Sequence, residues 1–539
     1  MDLVLENSHH SSVSLSVSIY ITKGCLWRPF FSKIMRLGIT KLTILFFILS
    51  LAPVGAFSQR LIEYQAGLGS RDPEDPDVWI LYNRVRATHE GMVLYADSAL
   101  LNTQRNDFTA FDHIRIDLTD TTSIFGDQLF YDGNTRIVDI WADTVVFVDG
   151  KTVLRTAHLS FDRNANVATY DTWGHTVSGD RVLDSREGNY DATTKEFFIY
   201  RKVCLMDSSL RLVTDTLLFN TVTNVARFVS PTNIYSDSTV IYSEYGNYNT
   251  DTRVAVSTKN SRVLNSEKLL TCDTLFYYDS TQYGRAFGNV VIIDSMNDIT
   301  CYGRYGETDQ GSHQSFVTDS ALVVFVDRGD SVFLHADTVR VRNDSQRRFS
   351  SVSAYNHVKV YRSDAQGMCD SAYYSVNDSL LTLFEKPVLW YGNYQCTADT
   401  ILVFHDTVGV RLSLFRSNVF VSELVDSTKF NQVKGRNGAA YFVKGEPNYA
   451  DILGNAQMVY YITEEDSLGN VSLVGVNAGI GSDMRIYFFK RQMERLVTYG
   501  KPDMHTYPLK ALPDNLKRLE GFVWLDSRRP RTRFEIFQW

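Results

Sequence analysis

The chain has 539 residues, 44% of them hydrophobic and 22% charged, with 11 prolines against 30 tyrosines and 32 phenylalanines. Such a composition can bury a core and excludes disorder as the main state. The net charge of -8, with no basic face along the body of the chain, excludes a nucleic-acid binder, which needs lysine and arginine in excess to neutralise phosphate.

In chain order, residues 1–34 precede a second methionine, Met35, and read as an upstream extension outside the fold. Met35 opens a secretory pattern, MRLGITKLTILFFILSLAPVGAFSQR: Arg36 and Lys41, an apolar run from Leu42 to Leu51, then small residues at Ala56 and Ser58 before Gln59. The run is short for a membrane span, so 35–58 is expected to be a cleaved signal peptide on an exported protein.

From Gln59 to about Gly500 the chain repeats itself. The segment LLTCDTLFYYD, 269–279, has counterparts around Asp97, Asp127, Ala157, Asp215, Asp337, Asp370 and Asp399, with weaker copies around Arg186, Glu244, Arg304, Arg436 and Asp483. These anchors recur about every 30 residues and drift apart later in the chain. Between them lies a second segment, typified by 283–294 (YGRAFGNVVIID). Both segments alternate apolar with polar residues and are parted by Asp, Asn, Gly and Ser clusters, which is strand, turn, strand. The expected fold is all-β: an elongated stack of about thirteen two-strand repeats of roughly 30 residues each.

Stacked strands would align two apolar columns. Two residues after the anchor come Leu129, Leu159, Leu217, Leu275, Val339 and Ile401; four after it come Tyr131, Phe161, Tyr190, Phe219, Tyr248, Tyr277 and Tyr374. A sheet with one apolar face must hide that face, so it is expected to fold over on itself into a V-shaped or jelly-roll trough lined by these columns. Gly188, Gly246, Gly306 and Gly438 fall on the same column, either opening space or relieving backbone strain. The anchor aspartates recur at one structural position, which suits a turn or corner hydrogen bond and not a catalytic pair. Strict alternation would nevertheless put them on the apolar face, unless the strand kinks there.

Beyond Cys25, the cysteines are Cys204, Cys272, Cys301, Cys369 and Cys396, an odd number at wide spacing, which is neither a disulfide framework nor a zinc pattern. They read as buried thiols, with a Cys272–Cys301 bridge left open. The histidines are scattered, and no HExxH, P-loop, GxSxG or dinucleotide fingerprint is present. No metal or cofactor is expected, and the chain is read as a non-enzyme.

Cys272, Asp273, Leu275 and Tyr277, followed by Ala286, Gly288, Asn289, Val290, Val291 and Ile292, resemble the Ala-Asp, Tyr and Gly-Asn-Val pattern of the OstA-like, LptA-type lipopolysaccharide transport family. Ile140, Trp141, Ala142 and Asp143 give a partial echo. The likeness spans about 59–500. The chain departs from the compact bridge proteins in its greater repeat number and extra C-terminal segment, and it lacks the long run of membrane strands of a translocon barrel.

The resemblance implies a β-taco fold whose apolar interior shelters the acyl chains of lipopolysaccharide in the periplasm. The column residues would line that interior. Other envelope transport proteins, or further copies of the chain, would dock end to end by strand addition. From the residues alone a second reading stays open: a structural or protein-interaction solenoid filled by its own side chains. Residues 501–539 cluster Arg528, Arg529, Arg531 and Arg533 among Phe522, Trp524, Phe534 and Trp539, and are expected either to cap the last rung or to dock an anionic headgroup or partner.

Overall fold

Apolar–polar alternation produces forty strands among the described residues, every pairing antiparallel and nearly every strand paired with at least one neighbour in sequence. The computed structural model describes residues 61–539 except 238, 266–267, 328, 466–470 and 491; the expected extension 1–34 and the expected signal peptide 35–58 lie outside the described residues.

Long strands such as Met92–Asn102, Asp107–Asp117 and Thr122–Asp132 each bend in the middle. Tyr95 pairs with Arg115 and Ser98 with Phe111, skipping the residues between, and the same skip parts Phe125 from Gln128 on the next strand. Repeated along the chain, these skips make one corner line that divides the sheet into two facing walls. Wall A holds the half-strands 98–102, 107–111 and 128–132; wall B holds 92–96, 114–117 and 122–126. In the middle repeats the corner is a full break, as between Arg181–Ser185 and Glu187–Asp191. The result is the V-shaped jelly-roll expected from the apolar columns.

The corner explains the anchors. On alternate strands two consecutive residues take positive φ, among them Asp112 and His113, Gly288 and Asn289, Asn356 and His357, and Ser417 and Asn418. Small polar residues and glycine tolerate that region best. The anchor of the preceding strand sits opposite and ties the bend: Asn289 Nδ2 donates to Asp273 Oδ2 at 2.9 Å, Asn418 Nδ2 to Asp399 Oδ2 at 2.9 Å, and His113 Nδ1 meets Asp97 Oδ2 at 2.7 Å. The aspartates therefore lie at the kink, where strict alternation is interrupted. In the last repeat the corner residue is Ser482, one position before the expected Asp483, because Gly481 and Asp483 pair on opposite sides of the skip. Gly288 has φ +71, and a Cβ there would stand 2.3 Å from Asp273 Oδ2. Gly288→Ala should accordingly cost about 1–3 kcal/mol by denaturant unfolding, through left-handed strain and the displaced carboxylate.

The turns at the far end of wall A repeat as faithfully. Asn134, Asn164 and Thr193 each donate a backbone N–H to the aspartate two residues back, at 2.8, 2.7 and 2.7 Å. Neighbouring turns are laced together by Asn134 Nδ2 to Arg105 O and Asn164 Nδ2 to Thr135 O, both at 2.8 Å and both 29 residues apart in sequence. This lacing fixes the stacking of one repeat on the next. The column glycines neither open space nor relieve strain: a Cβ on Gly188 would meet Ile199 Cγ2 and Tyr170 Oη at 2.6 Å, so neighbouring side chains already occupy the room. After the last strand, Asp503–Tyr507, the chain makes only short helical turns and runs back along the outside of wall B.

Candidate functional site

From Ile62 to about Phe349 the walls meet in a dry core. Leu129, Tyr131, Leu159, Phe161, Tyr190, Leu217, Phe219, Tyr248, Leu275, Tyr277 and Val339 are all 0–1% exposed. Phe147 of wall B lies 5.9 Å from the Phe161 ring and 5.8 Å from the Tyr190 ring of wall A, so side chains from both walls fill the interior.

At the loop edge this part of the trough is clasped by polar contacts from wall to wall. Tyr190 Oη donates to Asp149 Oδ2 at 2.7 Å, beside Lys195 Nζ on the same oxygen at 2.5 Å. Arg136 Nη2 reaches Glu90 at 2.9 Å, and Arg163 Nη1 and His89 Nδ1 both meet Tyr131 Oη, at 2.8 and 2.6 Å. Further along come Ser236 Oγ to Asp279 Oδ1 at 3.0 Å, Lys268 Nζ to Ser315 Oγ at 3.1 Å and Asn343 Nδ2 to Asp294 Oδ2 at 3.0 Å. Tyrosine suits the column at Tyr131 and Tyr190 because its ring fills the core while its hydroxyl reaches the clasp.

Burial pushes the Asp279 carboxyl above its ordinary value, against the hydrogen bond from Ser236 and the charge of Arg253. An acid raised on folding withholds no stability below its unfolded pKa and withholds more as pH climbs through the raised one. Asp279→Asn, which can still accept from Ser236, should therefore stabilise the protein at about pH 7 and do nothing near pH 3 in a denaturant titration. Equal effects at both pH values would contradict this.

Between residues 325 and 488 the interior changes. A cavity of about 480 Å³ lies between the walls, lined by Leu334, Val360, Leu389, Cys396 and Val421 from wall B and by Tyr374, Leu383, Val403, Ala440 and Ile452 from wall A. Of the predicted columns, Tyr374 lines this space and Ile401 lies fully buried on a neighbouring strand. Ala372 and Val403, at the same column positions after their anchors, line it too; sequence reasoning missed the other lining residues. The available signal was size: where Phe161, Phe197 and Phe219 fill the upstream core, Val403, Ser413 and Ala440 stand downstream. His405, stacked on Tyr374 at 5.5 Å, carries a buried Nε2 with no hydrogen-bond partner among the described residues.

The remaining candidate chemistry is structural. All five described cysteines are free, so the Cys272–Cys301 bridge is not formed. Burial pushes the Cys272, Cys301, Cys369 and Cys396 thiols up to about 12, leaving them protonated and unreactive near neutral pH. Among the described residues no group of three or more His, Cys, Asp or Glu side chains is arranged to hold a metal, and no helix is long and apolar enough to cross a membrane.

Residues 61–215 and 198–273 match the model of the family described as OstA-like protein. Residues 61–273 are OstA-like. Both OstA-like matches fall on the clasped, dry part of the trough; the cavity lies beyond them, in strands that continue the same two walls. No curated protein matches the chain. Among solved structures similar to this chain is the crystal structure of LptH, the LptA homologous periplasmic component of the conserved lipopolysaccharide transport device from Pseudomonas aeruginosa, at 10% identity and a TM-score of 0.16, covering 28% of this chain and 95% of that one.

Proposed function

We propose that the protein binds lipopolysaccharide in the periplasm and shelters its acyl chains between the two walls, as one part of a bridge toward the outer membrane. The cavity carries this reading: about 480 Å³ of largely apolar space in a trough that begins as an OstA-like fold. Each methylene of an acyl chain gains about 0.8 kcal/mol by leaving water for such a space. His405 Nε2 offers a hydrogen bond to an ester or hydroxyl oxygen on the chain.

The packed interior upstream favours the second reading, a self-filled solenoid, for residues 62–349 alone. In the lipid reading the column residues from Leu129 to Val339 join the conduit only when the clasps release. At each end the stack presents strands paired on one side only, Glu63–Gln65 and Leu68–Arg71 at the start, Gln492–Tyr499 and Asp503–Tyr507 at the finish. Another envelope transport protein or a second copy would add a strand there.

The direct test is lipid extraction and mass spectrometry of the protein purified from its own envelope, with photo-crosslinkers at Leu383 and Tyr374. Lipopolysaccharide should be captured at these positions and not at Thr382 on the outer face. Crosslinkers at Leu217 and Tyr277, against Thr216 and Thr274, report whether the conduit extends into the clasped part. A protein free of lipid, labelled equally on both faces, would reject the proposal.

A further inference from the structure

Over the N-terminal repeats the outer face of wall B meets water: Tyr95, Phe125, Tyr235, Leu264 and Tyr302 are exposed. Behind the cavity it does not. Lys359, Gln366, Trp390, Gln395, Phe420 and Gln432 point outward yet are buried, because residues 509–539 lie across them. The tail runs back from the last strand. Leu512 and Leu519 pack with Val459, Tyr461 and Val476; Phe522 meets Phe420 edge to face with ring centroids 6.0 Å apart; Leu525 packs with Trp390; and Phe537 comes to rest 4.7 Å from His335.

The wall holds this strap by its backbone. Gln432 donates from Nε2 to Lys517 O at 3.0 Å and accepts at Oε1 from Leu519 N–H at 2.8 Å. Gln395 does the same one repeat earlier, with Val523 O and Leu525 N–H, both at 2.7 Å. Lys359 Nζ donates to Arg528 O at 3.0 Å, and Arg529 reaches Gln366 Oε1 at 2.7 Å and Gly392 O at 2.9 Å. Two amide side chains, each reading a carbonyl and the N–H two residues further along the strap, form a peptide-recognition ladder, with little dependence on the strap's side chains at those points.

The residues alternating with this ladder line the cavity. On the same strands Val360 neighbours Lys359, Leu389 neighbours Trp390, Cys396 neighbours Gln395 and Val421 neighbours Phe420. A sheet is held flat by layers packed on its faces, and here one face borders empty space. The strap supplies a second layer behind the hollow stretch. We infer that the outer face of wall B is a peptide-binding surface, occupied by the chain's own C-terminal segment, and that this occupancy sets the gape of the cavity. The inference rests on the lipid reading for its ligand, though not for its geometry.

Two variants test it: the chain ended after Tyr507, and the full-length Gln395→Ala/Gln432→Ala protein, which keeps the strap attached by its remaining contacts. The probe is a pyrene-labelled palmitate, read by equilibrium fluorescence alongside backbone amide exchange. Truncation should weaken probe binding at least about tenfold and speed exchange in 388–397 and 419–424 by a similar factor, leaving 122–149 unchanged. A synthetic peptide of residues 508–539 added in trans should restore both. The glutamine variant should move both readouts in the same direction and decides the matter if the truncated chain aggregates. Unchanged binding and exchange in these variants would overturn the inference. If the unaltered protein takes up no probe, the lipid reading fails while the exchange arm still decides whether the strap holds the wall.

Discussion

Val403→Trp combined with Ala440→Trp should strip the protein of lipid while leaving it folded. Both side chains are half-buried and point into the cavity from wall A, facing Leu389 and Val421 across the gap. An indole buries about 150–250 Å² of its own surface, so the substitutions fill the space largely with apolar atoms. Excluding only four methylenes of an acyl chain, at about 0.8 kcal/mol each, removes about 3 kcal/mol of binding, a loss of more than about a hundredfold. Leu402→Trp, on the same strand but facing outward, serves as the control and should keep its lipid. The measurement is lipid per protein by mass spectrometry after purification. A doubly substituted protein that keeps its full load would move the binding site away from this cavity.

Much of this architecture was legible in the chain because the repeat exposes it. The columns at Leu129, Tyr131, Leu217 and Tyr277 identified the inner face, and every anchor from Asp97 to Arg436 marks the corner. Alternation alone could not say why an aspartate stood in an apolar column. The answer lay in the partner segment, where pairs such as Gly288 with Asn289 or Asn356 with His357 are residue types that accept positive φ and bend the strand. The tail was harder to place. Its arginines and aromatics suggested a cap or a headgroup dock, whereas the surface that holds it is made of Gln366, Gln395 and Gln432, which in sequence look like ordinary solvent-facing strand residues. Nor does a column of apolar letters state whether facing side chains touch. That depends on summed side-chain size across two walls whose separation no single strand encodes.

The same distinction predicts unequal costs for equal truncations. Leu217→Ala removes a fully buried side chain from the clasped core, where Phe197, Phe219 and Phe228 hold their places, and should cost about 3–5 kcal/mol from lost transfer energy plus the cavity left behind. Leu381→Ala removes a half-buried side chain that already borders empty space, so no new void is created. Its cost should be about 1 kcal/mol, the transfer term of the part that was buried. A stack of repeats unfolds in sections and not as one unit, so the comparison belongs to segment-resolved amide exchange, reading 211–228 for the first variant and 380–404 for the second. Equal losses in both segments would mean that the walls close on each other around Leu381 in solution. The trough would then be filled by its own side chains from end to end, and the space assigned here to acyl chains would not exist.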